Sequence, residues 1–220
     1  ARLPEKPLIL AFDTSAAHCA AALLSGEYVL ASVEEPMAKG QGERLLGLCR
    51  EILDSAGVDY SDLTAIAVGI GPGNFTGIRI SVSAARGLAL GLGIPSIGVS
   101  RLEALAYGNS GTVISCIDAR QEKLFIQPFG TSDDPAPIMC GMDDLPKLPN
   151  HSEPTCVGFQ AERLANYYNG KVGLGCVPIA EATARIAATR LVRVNPRPAP
   201  LYLRPADAAP ARDTPPAILP

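Results

Sequence analysis

Leu8-Ile9-Leu10-Ala11-Phe12-Asp13 is an unbroken apolar run closed by a carboxylate, and Val113-Ile114-Ser115-Cys116-Ile117-Asp118 repeats that form in the second half of the chain. A short apolar run bounded by turn residues reads as a strand buried on both faces. Outward from the first run, Cys19–Leu24 is a second strand, Ser25-Gly26 a tight turn and Tyr28–Val33 a third strand, which together make an antiparallel meander. A helix follows over Glu43–Ala56, with Leu45, Leu46, Leu48, Ile52 and Leu53 at helical spacing and Gly57 as its stop. Thr64–Ile70 is a buried strand, Gly71–Gly77 a glycine-rich loop, and Ile78–Leu90 a second helix. Ser96–Val99 and Arg101–Tyr107 add a strand and a short helix. The order β-β-β-α-β-α-β-α is that of a ribonuclease-H-like α/β unit.

The second run starts the pattern again. Gln121-Glu122 form a turn and Lys123–Phe129 return as a strand, so the two openings suggest an internal duplication, as in actin and sugar kinases. The copy is incomplete: Phe129 to about Pro154 is rich in Pro and Asp, and only Glu162–Tyr168 and Ile179–Leu191 then read as helices. From Asn195 proline dominates, with Leu201–Arg204 able to pair as a strand. The expected division is a ribonuclease-H-like unit over 1–108, a smaller one over 109–200, and an extended tail over 201–220.

The chain has 220 residues, 47% of them hydrophobic and 19% charged, which suits a globular protein with a core. The excess of Ala and Gly over aromatic residues points to close packing of small side chains. A net charge of −3 with no Lys/Arg cluster argues against a protein that grips nucleic-acid phosphates by itself. The six cysteines contain no C-x-x-C pair, so neither a zinc finger nor a disulfide scaffold is indicated. Buried thiols in a reducing cytoplasm fit better. Asp13, His18 and Glu5 spoil Leu8–Leu24 as a signal peptide, and every other apolar run stops short of membrane-spanning length.

Two loops carry candidate chemistry. Gly71, Gly73 and Gly77 allow close backbone approach, the next helix aims free N–H groups outward, and Asn74 and Thr76 are polar neighbours, with Thr76 able to cap the helix or touch phosphate. The loop carries neither the Walker Gly-Lys-Ser/Thr ending nor G-x-G-x-x-G. An anion site and a loop that merely lets helix and strand pack tightly both remain open. Asp13-Thr14-Ser15 stands where actin-like ATPases place a first phosphate loop, but Ala16-Ala17 follow instead of glycine. Side-chain tying of the strand end is the competing reading. His18 and His151 have no partner at helical spacing, so a metal site is not expected, and no Ser-His-Asp or Cys-His set is legible. In the second helix Ser81, Ala84, Ala85, Leu88 and Gly91 make a face of little bulk, and the first offers Leu45, Leu48, Glu51, Ile52 and Ser55. Either stripe serves as a subunit interface only if it points outward.

Ile9–Ser15, Gly71-Pro-Gly-Asn-Phe-Thr-Gly-Ile-Arg-Ile80, Gly98–Ala106, Ile117–Arg120 and Pro200–Arg204 with Asp207 resemble, in order, the successive signatures of the TsaB (YeaZ) family. The resemblance implies a two-lobed actin-like (ASKHA) fold with a reduced C-terminal lobe. It also implies a non-catalytic partner subunit in tRNA threonylcarbamoyladenosine modification. The implied partners are TsaD, in a heterodimer formed through N-terminal-lobe helices, and TsaE, in a ternary complex. The resemblance also implies a homodimer when the chain is alone, with tRNA met only indirectly. The interface residues expected on this basis are Leu45, Leu48, Ile52, Arg79, Ser81, Ala84, Ala85 and Leu88. No intrinsic cofactor or metal is expected; ATP or ADP at the complex interface is the one nucleotide considered. Two departures stand out: Asn74 replaces the family's usual Ser, and Gln41 its usual His. The alternative is a stand-alone actin-like ATPase or small-molecule kinase using Asp13, Thr14, Ser15 and the Gly71–Gly77 loop. A glycoprotease-like peptidase ranks below both.

Overall fold

A computed structural model of the chain describes residues 6–132, 135–148, 153–193 and 196–204. The first sheet holds β1 (Leu8–Asp13), β2 (His18–Ser25), β3 (Tyr28–Pro36), β4 (Ala65–Gly69) and β5 (Ser96–Val99) in the order β3-β2-β1-β4-β5. β1 to β3 pair antiparallel, while β4 and β5 run parallel to β1. The second sheet holds β6 (Val113–Arg120), β7 (Lys123–Phe129), β8 (Ile138–Gly141), β9 (Thr155–Gly158) and β10 (Lys171–Val172). Its order is β8-β7-β6-β9-β10, with the same antiparallel and parallel senses. Strand for strand the sheets share one topology, as the paired openings suggest. The fold is actin-like, with two lobes and a reduced second copy. No helix lies between β8 and β9 among the described residues, where the first copy carries α1 (Gln41–Ala56) between β3 and β4.

Period-2 alternation sorts each buried strand between two layers. Leu8, Leu10, Phe12, Cys19, Ala21 and Leu23 face α1 and α2 (Phe75–Leu92). Ile9, Ala11, Ala20, Ala22, Ala65 and Ala67 face α5 (Ile179–Ala188), whose own contact residues are mostly alanine. The surplus of small residues is spent here, where the helix lies close on the sheet. α4 (Ala161–Tyr168) covers the second sheet through Leu164 and Ala165.

The two copies exchange their last helices. α3 (Arg101–Ala106) follows β5 in sequence but packs through Leu102, Leu105 and Ala106 on Ile117, Phe125 and Val157 of the second sheet. α5 follows β10 but packs on the first sheet. The 109–200 unit expected from sequence therefore places one of its helices on the other sheet. Local periodicity gives a helix and its apolar face, but not the distant surface that face meets. β8, β9 and β10 also escape sequence reading, being only two to four residues long, with prolines close to β8 and β9. His151, Asp207 and the 205–220 part of the tail fall outside the described residues.

Candidate functional site

The two candidate loops lie side by side at the C-terminal ends of β1 and β4, and each fills the other's space. The Asp13-Thr14-Ser15 loop is wholly buried. Thr14 Oγ1 donates to Gly77 O at 2.7 Å, and Asn74 N–H donates to Ser15 O at 2.6 Å. A Cβ on Gly77 would lie 1.9 Å from Thr14 O, one on Gly73 2.1 Å from Ser15 O, and one on Gly69 1.6 Å from Asp13 Oδ2. These glycines are needed because the neighbouring loop occupies the room a side chain would take. Asn74, not Thr76, caps α2: its side chain accepts from Gly77 N–H at 3.0 Å, while Thr76 is exposed and makes no cap. The departure at position 74 thus keeps a capping oxygen. Gln41 begins α1 with its buried amide donating to Met37 O at 2.9 Å and Ala16 O at 3.4 Å, a structural use of that position.

Asp13 has its hydrogen bonds supplied from within. Its Oδ1 accepts from Ser15 N–H and Ser15 Oγ, both at 2.8 Å, and lies 2.8 Å from His18 Nε2; Oδ2 lies 3.0 Å from Ser15 Oγ. His18 Nδ1 lies 3.5 Å from the Glu34 carboxylate on β3. Burial works to raise the Asp13 pKa, but the His18 hydrogen bond and charge, the Arg101 charge and the Ser15 N–H outweigh it and hold the carboxyl below its ordinary value. In the sequence His18 stands as a break in the apolar Leu8–Leu24 run and as a histidine without a partner at helical spacing. Its proximity to Asp13 across the short β1–β2 connection is the signal that was available. The imidazole addresses Asp13 and Ser15 does likewise, so this set is not a nucleophile beside its base. Arg101, at the start of α3, keeps Nε buried with no hydrogen-bond partner.

Asp118 occupies the matching place in the second sheet and differs throughout. It is exposed, and its carboxylate accepts from Arg120 N–H at 2.8 Å within a turn where Arg120, Gln121 and Glu122 all have positive φ. Among the described residues no group of three His, Cys, Asp or Glu side chains is placed to hold a metal ion. Five cysteines are buried and Cys176 is exposed. Burial pushes the thiols of Cys49 and Cys116 up to about 12, which keeps them protonated and unreactive.

The helix faces are corrected by the structure. Leu45, Leu48, Ile52, Ser81 and Ala85 are buried against the first sheet, Ala84 and Leu88 are half-buried, and only Arg79 of the expected interface set is exposed. Ser81 Oγ turns inward toward Gly69 O at 3.2 Å. The stripes of small and apolar residues that periodicity detects are the core-facing ones. Outward stand Leu46, 50% exposed, with Gly47 on α1, and Ser83, Arg86, Gly87 and Leu90, 83% exposed, on α2.

A family model described as TsaD, tRNA N6-adenosine threonylcarbamoyltransferase, matches residues 33–142, half of the chain. The tRNA threonylcarbamoyladenosine biosynthesis protein TsaB of Escherichia coli is 40% identical over 122 residues, 53% of this chain and 52% of that protein. The chain belongs to the TsaB (YeaZ) family. TsaB of Bacillus subtilis is 35% identical over 120 residues, again 53% of this chain and 52% of the relative. The chain thus spans about half the length of the curated relatives it matches. The solved structure of YeaZ from Pseudomonas aeruginosa extends the likeness, with a TM-score of 0.74 and 28% identity over 90% of this chain and all of that one. No described helix is long and apolar enough to cross a membrane.

Proposed function

We propose that the chain is an accessory subunit in tRNA threonylcarbamoyladenosine modification, working by binding TsaD rather than by catalysing. The observation that carries this reading is the interlock of the two loops. Asp13, Thr14 and Ser15 spend their polar groups on Gly77, His18 and one another, and the glycines that could cradle a phosphate are in contact with chain instead. The family's TsaB relatives are named for threonylcarbamoyladenosine biosynthesis, which supplies the pathway. The match to the TsaD family model is consistent with a paralogous pair in which the partner carries the chemistry.

The docking surface is the outer face of α1 and α2. Leu46 and Leu90 provide apolar area, and Gly47, Gly87 and Gly91 let another helix come near. Pairing of this surface with a second copy gives the homodimer of the isolated chain. TsaE joins the heterodimer, tRNA is met through the partner, and ATP or ADP bound at the junction completes the reading. A reconstituted system tests it. Leu46→Glu and Leu90→Glu should fold normally, since Leu46 is half exposed and Leu90 largely so, yet lose TsaD binding by tenfold or more and lose tRNA modification with it. Full binding and modification by both variants would remove this surface from the account.

A further inference from the structure

The described tail, residues 196–204, runs from one sheet to the other across the C-terminal ends of their strands. Pro198 is buried, with its Cβ 3.5 Å from where a side chain on Gly98 of β5 would begin. Leu201 N–H donates to Ile70 O at 2.9 Å, just past β4. Tyr202 stacks on Phe75 with ring centroids 4.9 Å apart, and its hydroxyl accepts from Arg79 Nε at 2.8 Å. The next two residues belong to the other lobe. Leu203 packs among Ile117, Ala119 and Phe125, and Arg204 donates to Ala119 O at 3.4 Å and to the Gln121 side chain. Within four residues the chain exchanges contacts with the β4–α2 loop for contacts with the β6–β7 turn.

That position is where open α/β sheets take their ligands, in the crevice beyond the strand C-termini. From this placement we infer that residues 196–204 form an internal strap, which occupies the mouth of the interlobe crevice and fixes the angle between the two sheets in place of a ligand. The exchanged helices α3 and α5 join the lobes through the body of the molecule. Beside the start of α3, the strap adds a tie made of one aromatic stack, one backbone hydrogen bond and one arginine anchor. Nothing in this inference depends on the partner proposed above, because each contact lies within the chain.

The test uses the full chain alone. Spin labels go on exposed Ser32 of β3, on the sheet face away from α1 and α2, and on exposed Arg163 of α4 through cysteine substitutions, with exposed Cys176 changed to Ser and the labelled chain diluted into unlabelled chain so that only distances within one chain are read. Hydrogen exchange at the Leu201 amide reports whether the strap is docked. Leu203→Asp should disrupt the lobe-two anchor most strongly, and Arg204→Ala keeps the apolar contact as a milder variant. In the parent, one narrow label-to-label distance is expected with a protected Leu201 amide. In Leu203→Asp the amide should exchange at least tenfold faster and the distance distribution should broaden, with Arg204→Ala intermediate. Two results overturn the inference: a freed Leu201 amide with an unchanged distance distribution, or a Leu201 amide as protected in both variants as in the parent.

Discussion

Asp13 and Asp118 end corresponding strands in two sheets of the same topology, yet one is sealed inside protein and the other stands in water. The cause lies one strand away. Residues 70–74 join β4 to α2 and bring Gly73 and Gly77 down on the Asp13 loop, whereas only residues 159 and 160 join β9 to α4, so no such loop reaches Asp118. A phosphate site needs loop N–H groups and a metal-holding carboxylate that stay open to the ligand. Here the first loop has become a packing element, and the second keeps little more than its turn. The comparison teaches that a glycine-rich loop in this position has two uses, and the atom that a Cβ would strike distinguishes them.

The largest effect should come from breaking the first loop's packing. Gly77→Ala places a methyl against Thr14 O inside α2, and overpacking of this kind should cost about 3 kcal/mol or more. Gly87→Ala and Gly91→Ala meet nothing within 4 Å in the same helix and should instead add roughly 0.5–1 kcal/mol. Urea denaturation of the three variants reads the contrast directly. Equal effects would mean that the loops do not interlock.

Next in size is the Asp13–His18 contact. His18→Ala leaves the buried Asp13 carboxyl without its imidazole hydrogen bond, and leaving a buried polar group short of a partner costs about 1–3 kcal/mol. Asp118→Asn, on the exposed counterpart, should fall within about 0.5 kcal/mol of the parent. The pH dependence follows with a definite sign. The folded-state pKa of Asp13 is lowered, so its contribution is fully present above the unfolded value, about 3.9, and is lost as pH falls through the lowered folded value. The denaturation midpoint of the parent should therefore drop with acid in that window, and the drop should be smaller in Asp13→Asn. An identical acid profile for the two proteins would contradict the assignment.

The smallest expected effect sits in the second loop. Glu122 holds φ of 59° in the exposed β6–β7 turn, a conformation glycine adopts freely. Glu122→Gly should therefore leave stability within about 0.5 kcal/mol of the parent, with relief of strain set against the greater freedom of the unfolded chain. A loss much above that would show that this turn, too, is locked by its surroundings.

Much of this was legible in the residues. β1 to β7 and, among the described residues, α1 to α5 follow from apolar runs and helical spacing, and the twin openings at Leu8 and Val113 point to two sheets of one topology. What sequence could not supply was distance through space. α5 reads as amphipathic without showing that it crosses to the first sheet, and a small-residue stripe through Ser81 and Ala85 looks the same whether it meets a partner or a sheet. His18 was visible only as an isolated histidine, because its bond to Asp13 depends on how the short β1–β2 connection turns. The loop glycines were seen, but which atoms they make room for was not.

The central claim is that the first loop is closed by its own chain and the protein acts through its surface. Calorimetric titration of the isolated chain with Mg·ATP, followed by an assay for phosphate release, tests this most directly. The account predicts no saturable binding in the micromolar range and no turnover. Tight binding with turnover, abolished by Asp13→Asn, would contradict it and favour the actin-like ATPase.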